Sequence, residues 1–136
     1  MFYTICGSTA VETAIKIAVA YHRAKGNAHR FRFVGRERGY HGMNIGCVSV
    51  GGMVNNVKTF ASILMPGVQH MRHTHLPEHK FVSGQPETGG DLANDLERIA
   101  SNFGPEILRH VLLSYSWINW NFSSTKRLFT KIKRDL

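Results

Sequence analysis

CGSTAVETAIKIAVAYHR, residues 6–23, has the most regular pattern in this chain. Its apolar side chains recur at the spacing of an α-helix and form one stripe that also contains a histidine: Val11, Ala14, Ile15, Ala18, Val19 and His22. The pattern predicts a helix over residues 9–25. Thr9 and Glu12 have the spacing of a capping box, in which two side chains bind backbone amides at the helix start.

The Gly-Ser-Thr turn before this helix has two possible uses. Thr9 is either an ordinary helix cap, or the turn binds an anionic ligand. Gly7 lacks a Cβ, so a ligand can approach its backbone, and Ser8 and Thr9 carry hydroxyl groups that donate hydrogen bonds. The free amides and the dipole at a helix N-terminus favour negative charge. The residues alone leave both interpretations open.

The composition indicates a folded protein. The chain has 136 residues, of which 43% are hydrophobic and 19% are charged, which suits one domain or a piece of a larger one. No apolar run approaches the roughly 20 residues that cross a bilayer, and the N-terminus has no signal-peptide pattern. Cys6 and Cys47 are too few for a disulfide framework and indicate buried thiols in a reducing compartment. We therefore expect a cytoplasmic protein without a membrane partner.

Positive charge is concentrated at the C-terminus. The formal net charge is +8, and residues 126–136, KRLFTKIKRDL, supply +4 of it. Such a tail binds nucleic acid or a membrane surface in some proteins and is only solvated in others. A small basic protein that binds nucleic acid through this tail is therefore an alternative function, although the rest of the chain has no basic helix that would enter a groove.

The order of the predicted elements indicates an α/β architecture. After the first helix they are a strand at 30–34, a loop at 35–42, a short helix or strand at 43–50, a strand at 67–71, a loop at 73–90, a helix at 91–103 and a strand at 107–115. Gly51-Gly52 and Asn55-Asn56 are predicted turns. Alternation of this kind is typical of a largely parallel sheet.

Two loops carry side chains that commonly bind ligands. RGYHG, residues 38–42, places Tyr40 and His41 between glycines, where they either stack on a flat ligand or form a surface turn. The second loop holds four histidines with zinc-like spacing: His70, His73, His75 and His79. No cysteine lies near them and Glu78 is the one close acid, so a loop of protonatable histidines is the simpler interpretation and a metal protein the alternative.

Taken together, residues 7–53 resemble the class III (ω-) aminotransferases, which are pyridoxal-phosphate enzymes of fold type I. The segments that carry the resemblance are GSTAVETAIKIAVAYHR and GRERGYHGMNIGCVSVGGM. GVQHMRHTH and SGQPETGGDLANDLERI are similar to the ω-amino acid (β-alanine):pyruvate subgroup, so the likeness runs from about residue 2 to about residue 111. The resemblance implies part of the large domain of a fold type I transferase, a mainly parallel sheet with flanking helices.

The resemblance also implies a cofactor, substrates and site residues. In the family the Gly-Ser pair and the following helix start hold the 5′-phosphate of pyridoxal 5′-phosphate, which carries over to Gly7 and Ser8 with the backbone of Thr9. The aromatic residue before His-Gly stacks on the pyridine ring, here Tyr40 with His41 beside it. The implied partners are a small amino donor, pyruvate and a second copy in a homodimer. Three positions depart from the family pattern, which has Asn, Ser and Glu where this chain has Ile5, Cys6 and Thr9.

The family's covalent machinery has no match in the sequence. Transamination needs a Schiff-base lysine and a carboxylate facing the ring nitrogen, and the family carries both downstream of the matched region. None of the seven lysines has a recognisable active-site context. We therefore expect residues 1–112 to be a fragment of the large domain, residues 113–136 a divergent basic tail left by truncation or a frameshift, and no catalytic residue in this chain. The isolated chain should dissolve poorly and show little or no turnover.

Overall fold

The computed structural model describes residues 2–77, 90–104 and 108–111. Helices and strands alternate along these residues. The helices are α1 (Gly7–Ala24), α2 (Ile45–Val50), α3 (Val54–Phe60) and α4 (Asn94–Phe103), and the strands are β1 (Arg32–Arg36), β2 (Val68–Met71) and β3 (Leu108–Val111). Short 3-10 turns at Ala61–Ile63 and Gly90–Ala93 follow α3 and precede α4. No helix in this part of the chain is long and apolar enough to cross a membrane.

The three strands form a parallel sheet in the order β2-β1-β3. Strand β1 pairs with β2 from Phe33 opposite Val68 to Arg36 opposite Met71. Its other edge pairs with β3, with an irregularity between Arg32 and Phe33. Parallel neighbours require the chain to cross back between strands, and the helices occupy those crossings. The predicted α/β class with a parallel sheet is confirmed.

The core lies on both faces of β1, because neighbouring strand residues point to opposite faces. Phe33, which is 1% exposed, packs on one face with side chains of α1 and of the end of α2: Ile15, Val50, Val11 and Ala18. Val34, which is fully buried, packs on the other face with side chains of β2 and α4: Met71, Leu96 and Ile99. The sheet is therefore flanked by helices on both sides, as the resemblance implies.

A buried carboxylate joins β2 to α4. Asp95 is 6% exposed and accepts a hydrogen bond from the backbone N of Arg72 at 2.8 Å. The Arg72 side chain adds contacts from Nε to Oδ2 at 3.0 Å and to Oδ1 at 3.1 Å. Burial alone would raise the pKa of Asp95, but the hydrogen bonds and the charge of Arg72 lower it below its ordinary value.

Several predicted boundaries were wrong. Strand β1 lies two residues further along than expected, so Gly35 and Arg36 belong to it rather than to the following loop. Gly35 suits this position because a Cβ there would meet the carbonyl group of Val50 at the end of α2. Residues 43–50 form a helix from Ile45 onward. Asn55-Asn56 lies inside α3 and is not a turn.

The predictions for the C-terminal part are confirmed with a change of helix type or fall partly or wholly outside the described residues. The predicted helix at 91–103 begins with a 3-10 turn and becomes an α-helix at Asn94. The predicted strand at 107–115 is described only over β3, and the predicted loop at 73–90 mostly lies in the part that is not described. The proposed tail at residues 113–136 lies wholly there.

Candidate functional site

Helix α1 begins at Gly7, and Cys6 is its N-cap with an extended backbone. The first helical hydrogen bond runs from the backbone N of Ala10 to the carbonyl of Cys6 at 3.0 Å. Thr9 therefore lies inside the first turn, and its Oγ1 is 3.3 Å from Cys6 Sγ. The predicted capping box of Thr9 and Glu12 is wrong, because a capping box needs its Thr at the N-cap. Here the N-cap is Cys6, and Thr9 is the third residue of the helix.

The start of α1 has backbone amides without helical partners, of which those of Thr9 and Ser8 interact with the Cys6 thiol. The first backbone N–H groups of an α-helix have no carbonyl partner within the helix, and here they belong to Gly7, Ser8 and Thr9. The first turn holds no acidic side chain, and a Cβ built on Gly7 would meet nothing within 4 Å. Both features leave room for an anion at this point.

The loop after β1 is held by backbone hydrogen bonds on both sides. Glu37 N donates to the Met71 carbonyl at 2.9 Å, Arg38 N to the Gly52 carbonyl at 2.7 Å, and Gly52 N to the Gly39 carbonyl at 2.8 Å. These bonds tie the loop to β2 and to the segment after α2. The loop therefore leaves the carboxyl end of the central strand in a fixed direction.

The loop ends in direct contact with the start of α1. Gly42 has a φ of +116°, and a Cβ there would overlap Ser8, lying 2.8 Å from its Cβ and 2.9 Å from its Cα. The structure thus places the Gly-Ser turn beside the loop that carries Tyr40 and His41, although the two are more than thirty residues apart in the sequence. The glycines at both ends of the 35–42 loop predict unusual backbone angles, which is confirmed at Gly42 and wrong at Gly35, while the contact of Gly42 with Ser8 was not predicted.

Tyr40 and His41 have different environments in this loop. The Tyr40 side chain is 58% exposed. His41 is half-buried, and its Nε2 is enclosed without a hydrogen-bond partner among the described residues. Burial, and then the charge of His70, lower the pKa of His41, so this imidazole is neutral at pH 7.

The two cysteines lie on either side of the turn. Cys6 is exposed, so its predicted burial was wrong, and the Thr9 hydroxyl group lowers the pKa of its thiol. Cys47 in α2 is fully buried, as predicted. Its Sγ donates to the Ser8 carbonyl at 3.2 Å and contacts Glu12 Oε2 at 3.9 Å. Nothing in the residues around Cys47 predicts this contact with α1.

The predicted histidine cluster divides between β2 and the loop that follows. His70 lies in β2, where its Nε2 is 2.7 Å from the Gly51 carbonyl, and His73 and His75 come after the strand. His79 is outside the described residues. Within residues 2–77, 90–104 and 108–111, no three side chains of His, Cys, Asp or Glu are grouped so that they could hold a metal ion.

Comparison with known proteins identifies the family. The family model described as aminotransferase class-III matches residues 1–107. The chain belongs to the class III aminotransferases. It is 50% identical over 117 residues to an omega-aminotransferase of Caulobacter vibrioides, a match that covers 82% of this chain and 26% of the relative. It is 41% identical over 100 residues to a beta-alanine–pyruvate aminotransferase of Pseudomonas aeruginosa, covering 73% of this chain and 22% of the relative.

Solved structures show the same fold. This class III aminotransferase chain matches a transaminase with L-alanine at a TM-score of 0.74 and 22% identity, over 96% of this chain and 32% of that one. An omega transaminase from Pseudomonas jessenii in complex with PMP matches at a TM-score of 0.74 and 23% identity, over 96% and 30% of the two chains. The chain thus spans between a fifth and a third of the length of these relatives.

Proposed function

We propose that this chain holds the phosphate end and one ring face of pyridoxal 5′-phosphate. Gly7, Ser8 and Thr9 bind the phosphate through backbone amides and hydroxyl groups. Tyr40 lies against the pyridine ring, with His41 beside it. The observation that carries the proposal is the contact of Gly42 with Ser8, because it joins the anion turn to the loop that bears the aromatic ring.

The residues present fit the cofactor. A dianion needs several converging N–H donors and no opposing carboxylate, and the first turn of α1 has no acid and an open approach at Gly7. A pyridine ring needs a flat, accessible aromatic partner, which the exposed side chain of Tyr40 provides. The enclosed Nε2 of His41 is a polar atom that still needs a partner in this region.

The proposed reaction is transfer of an amino group from an ω-amino acid to pyruvate. Its support is the printed activities of the relatives, among them the beta-alanine–pyruvate aminotransferase of Pseudomonas aeruginosa and the omega-amino acid–pyruvate aminotransferase of Pseudomonas putida. The cofactor, when bound, supplies the electron sink for this chemistry. The described residues bind and orient it: the turn anchors the phosphate, Tyr40 fixes the ring plane, and the neutral imidazole of His41 accepts or donates a hydrogen bond without adding charge.

We further propose a functional division of the chain near residue 112 and a homodimer as the working assembly. The family match ends at residue 107, close to that division. The basic segment at 126–136 lies outside the described residues, and the comparisons give no support to a nucleic-acid function. Because no lysine of the chain has a recognisable active-site context, we expect cofactor binding without turnover.

The test is a titration of the purified chain with pyridoxal 5′-phosphate, followed by its absorbance and by quenching of tyrosine and tryptophan fluorescence. We expect saturable binding that inorganic phosphate displaces, and weaker binding of pyridoxal, which lacks the phosphate. Tyr40→Ala should weaken binding of pyridoxal 5′-phosphate roughly five- to tenfold, the loss of an aromatic stacking contact.

Tyr21→Ala is the matched control, because Tyr21 is 56% exposed against 58% for Tyr40 and lies near the far end of α1. It should leave the affinity unchanged. Equal losses in both variants, or equal binding of pyridoxal and its phosphate ester, would contradict the proposed site.

A further inference from the structure

We propose that Cys47 is a positioning residue for the phosphate-binding turn, a role that rests on the proposed function. Its thiol holds the carbonyl group of Ser8, and through it the amide of Thr9, in the orientation that a phosphate needs. Cys47 touches no ligand itself. It acts from α2, where it lies.

The thiol is placed to do this. Cys47 is 0% exposed, and its Sγ lies 3.2 Å from the Ser8 carbonyl oxygen and 3.9 Å from Glu12 Oε2. The preceding Gly46 packs so closely on the Glu12 carboxylate that a Cβ there would collide with it. Helix α2 therefore packs against the first two turns of α1, and the thiol contacts the backbone of the first turn at Ser8.

Peptide geometry links this contact to the phosphate. The carbonyl of Ser8 and the N–H of Thr9 belong to one planar peptide group and point in opposite directions. In the first turn of α1 this carbonyl points along the helix and the Thr9 N–H points toward the open helix start, so the thiol, as a second donor beside the helical N–H of Glu12, helps to hold the Thr9 N–H in place. Since an anion site depends on several amides that converge on one point, a tilt of this single peptide weakens it.

The thiol stays in the form that donates. Burial, and then the negative charge of Glu12, raise the pKa of Cys47 above its ordinary value. The proton therefore remains on sulfur at neutral pH, and the thiol donates to the Ser8 carbonyl. A thiolate at this position would be repelled by the Ser8 carbonyl oxygen and by the Glu12 carboxylate.

The experiment compares three variants of the full chain, using pyridoxal 5′-phosphate, pyridoxal and inorganic phosphate as probes. Cys47→Ala and Cys47→Val remove the donor and should weaken phosphate and pyridoxal 5′-phosphate about fivefold, the effect of one hydrogen bond. Binding of pyridoxal should not change, because it lacks the phosphate. Cys47→Ser restores a donor and should bind all three probes within about twofold of the unsubstituted chain.

Ser49→Ala is the matched control on the same helix. Ser49 is 2% exposed, donates to the Ile45 carbonyl at 2.6 Å and accepts from Met65 N at 2.8 Å. Its loss should lower the thermal midpoint without changing the affinity for phosphate. A drop in phosphate affinity in Ser49→Ala equal to that in Cys47→Ala would assign the effect to general loosening of α2 and overturn the proposal.

A second measurement covers the case in which the variants without a donor fail to fold. In a Cys6→Ser background, a maleimide reagent reacts only with Cys47, and bound phosphate should slow this labelling at least threefold because it stabilises the turn that the thiol contacts. An unchanged labelling rate, or unchanged phosphate affinity in folded Cys47→Ala, overturns the positioning role while the unsubstituted chain still binds pyridoxal 5′-phosphate. Failure of the unsubstituted chain to bind phosphate would overturn the proposed function as well.

Discussion

Gly42 is the residue on which the arrangement of the site depends most directly. Its φ of +116° favours glycine, and the space that a Cβ would occupy is already taken by Ser8. Gly42→Ala should therefore cost about 2 kcal/mol or more in the free energy of unfolding, because backbone strain and overlap add. It should also abolish binding of pyridoxal 5′-phosphate, since the loop can no longer seat on the helix start. Urea unfolding and the fluorescence titration measure the two effects.

Gly26→Ala separates strain from overlap. Gly26 has a φ of +76° after the end of α1, and a Cβ there would meet nothing within 4 Å. This variant should cost about 1 kcal/mol through strain alone and leave cofactor binding intact. If Gly42→Ala and Gly26→Ala lower the free energy of unfolding equally, overlap with Ser8 adds nothing to the cost of backbone strain.

The residues of the site differ in how far the sequence could predict them. The resemblance predicted Gly7, Ser8, Tyr40 and His41 as cofactor-binding residues because they lie in segments that match the family's sequence motifs. It could not supply the role of Cys47, since nothing local in GCVSV indicates which distant carbonyl a buried thiol will meet. The exposure of Cys6 was missed because a free thiol is usually buried, whereas Cys6 is an N-cap and lies where the helix opens to solvent.

Among the elements, the contact between the end of β2 and α4 combines apolar packing with one buried carboxylate, Asp95. Asp95→Asn should lower the free energy of unfolding by about 2 kcal/mol, the value of hydrogen bonds to a charged group. Asp91 is the control, because its Oδ2 is 3.7 Å from Arg72 Nη2 and its side chain is 49% exposed. Asp91→Asn should change stability by less than about 0.5 kcal/mol.

The same carboxylate gives stability a defined pH dependence. The pKa of Asp95 is lowered in the folded chain, so its contribution is complete above the pKa of an unfolded aspartate and is lost as pH falls through the lower folded value. Below about pH 4 the unsubstituted chain should therefore lose stability more steeply than Asp95→Asn. Thermal unfolding of both chains from pH 7 to pH 3 would show this, and parallel curves would contradict it.

Periodicity predicted the elements well where one face is buried and poorly elsewhere. Helix α1 was recognised because Ile15 and His22 lie on a stripe that faces the core. The position of β1 was missed by two residues because Phe33 and Val34 are both buried, on opposite faces, and a strand covered on both sides does not alternate. Asn55 and Asn56 indicated a turn by composition, but they lie on α3, a helix with no buried residue.

At the scale of the whole molecule, the described surface carries many large apolar side chains. Those more than half exposed are Phe2, Tyr3, Ile5, Ile17, Tyr21, Tyr40, Met43, Ile45, Val54 and Ile63. Such exposure promotes association. We expect the purified chain to self-associate as its concentration rises, which light scattering after gel filtration would detect. A monodisperse monomer at millimolar concentration would contradict this expectation.

A doubled substitution identifies the surface responsible. Ile17→Lys with Tyr21→Lys places two charges on the outer side of α1, where both side chains are more than half exposed. Association should decrease if this side of α1 takes part in it. The paired change of Ile63→Lys with Val54→Lys, at α3 and the 3-10 turn after it, serves as the comparison.

The strand order also affects how this protein is made on the ribosome. The central strand, β1, is synthesised before either of its neighbours, and its first partner is complete only when Met71 has been added. During that interval of translation both hydrogen-bonding edges of β1 are open in the nascent chain, and Phe33 and Val34 have no sheet to enter. The emerging polypeptide therefore presents the buried residues Phe33 and Val34 early, when chaperones that act at the exit tunnel can reach them.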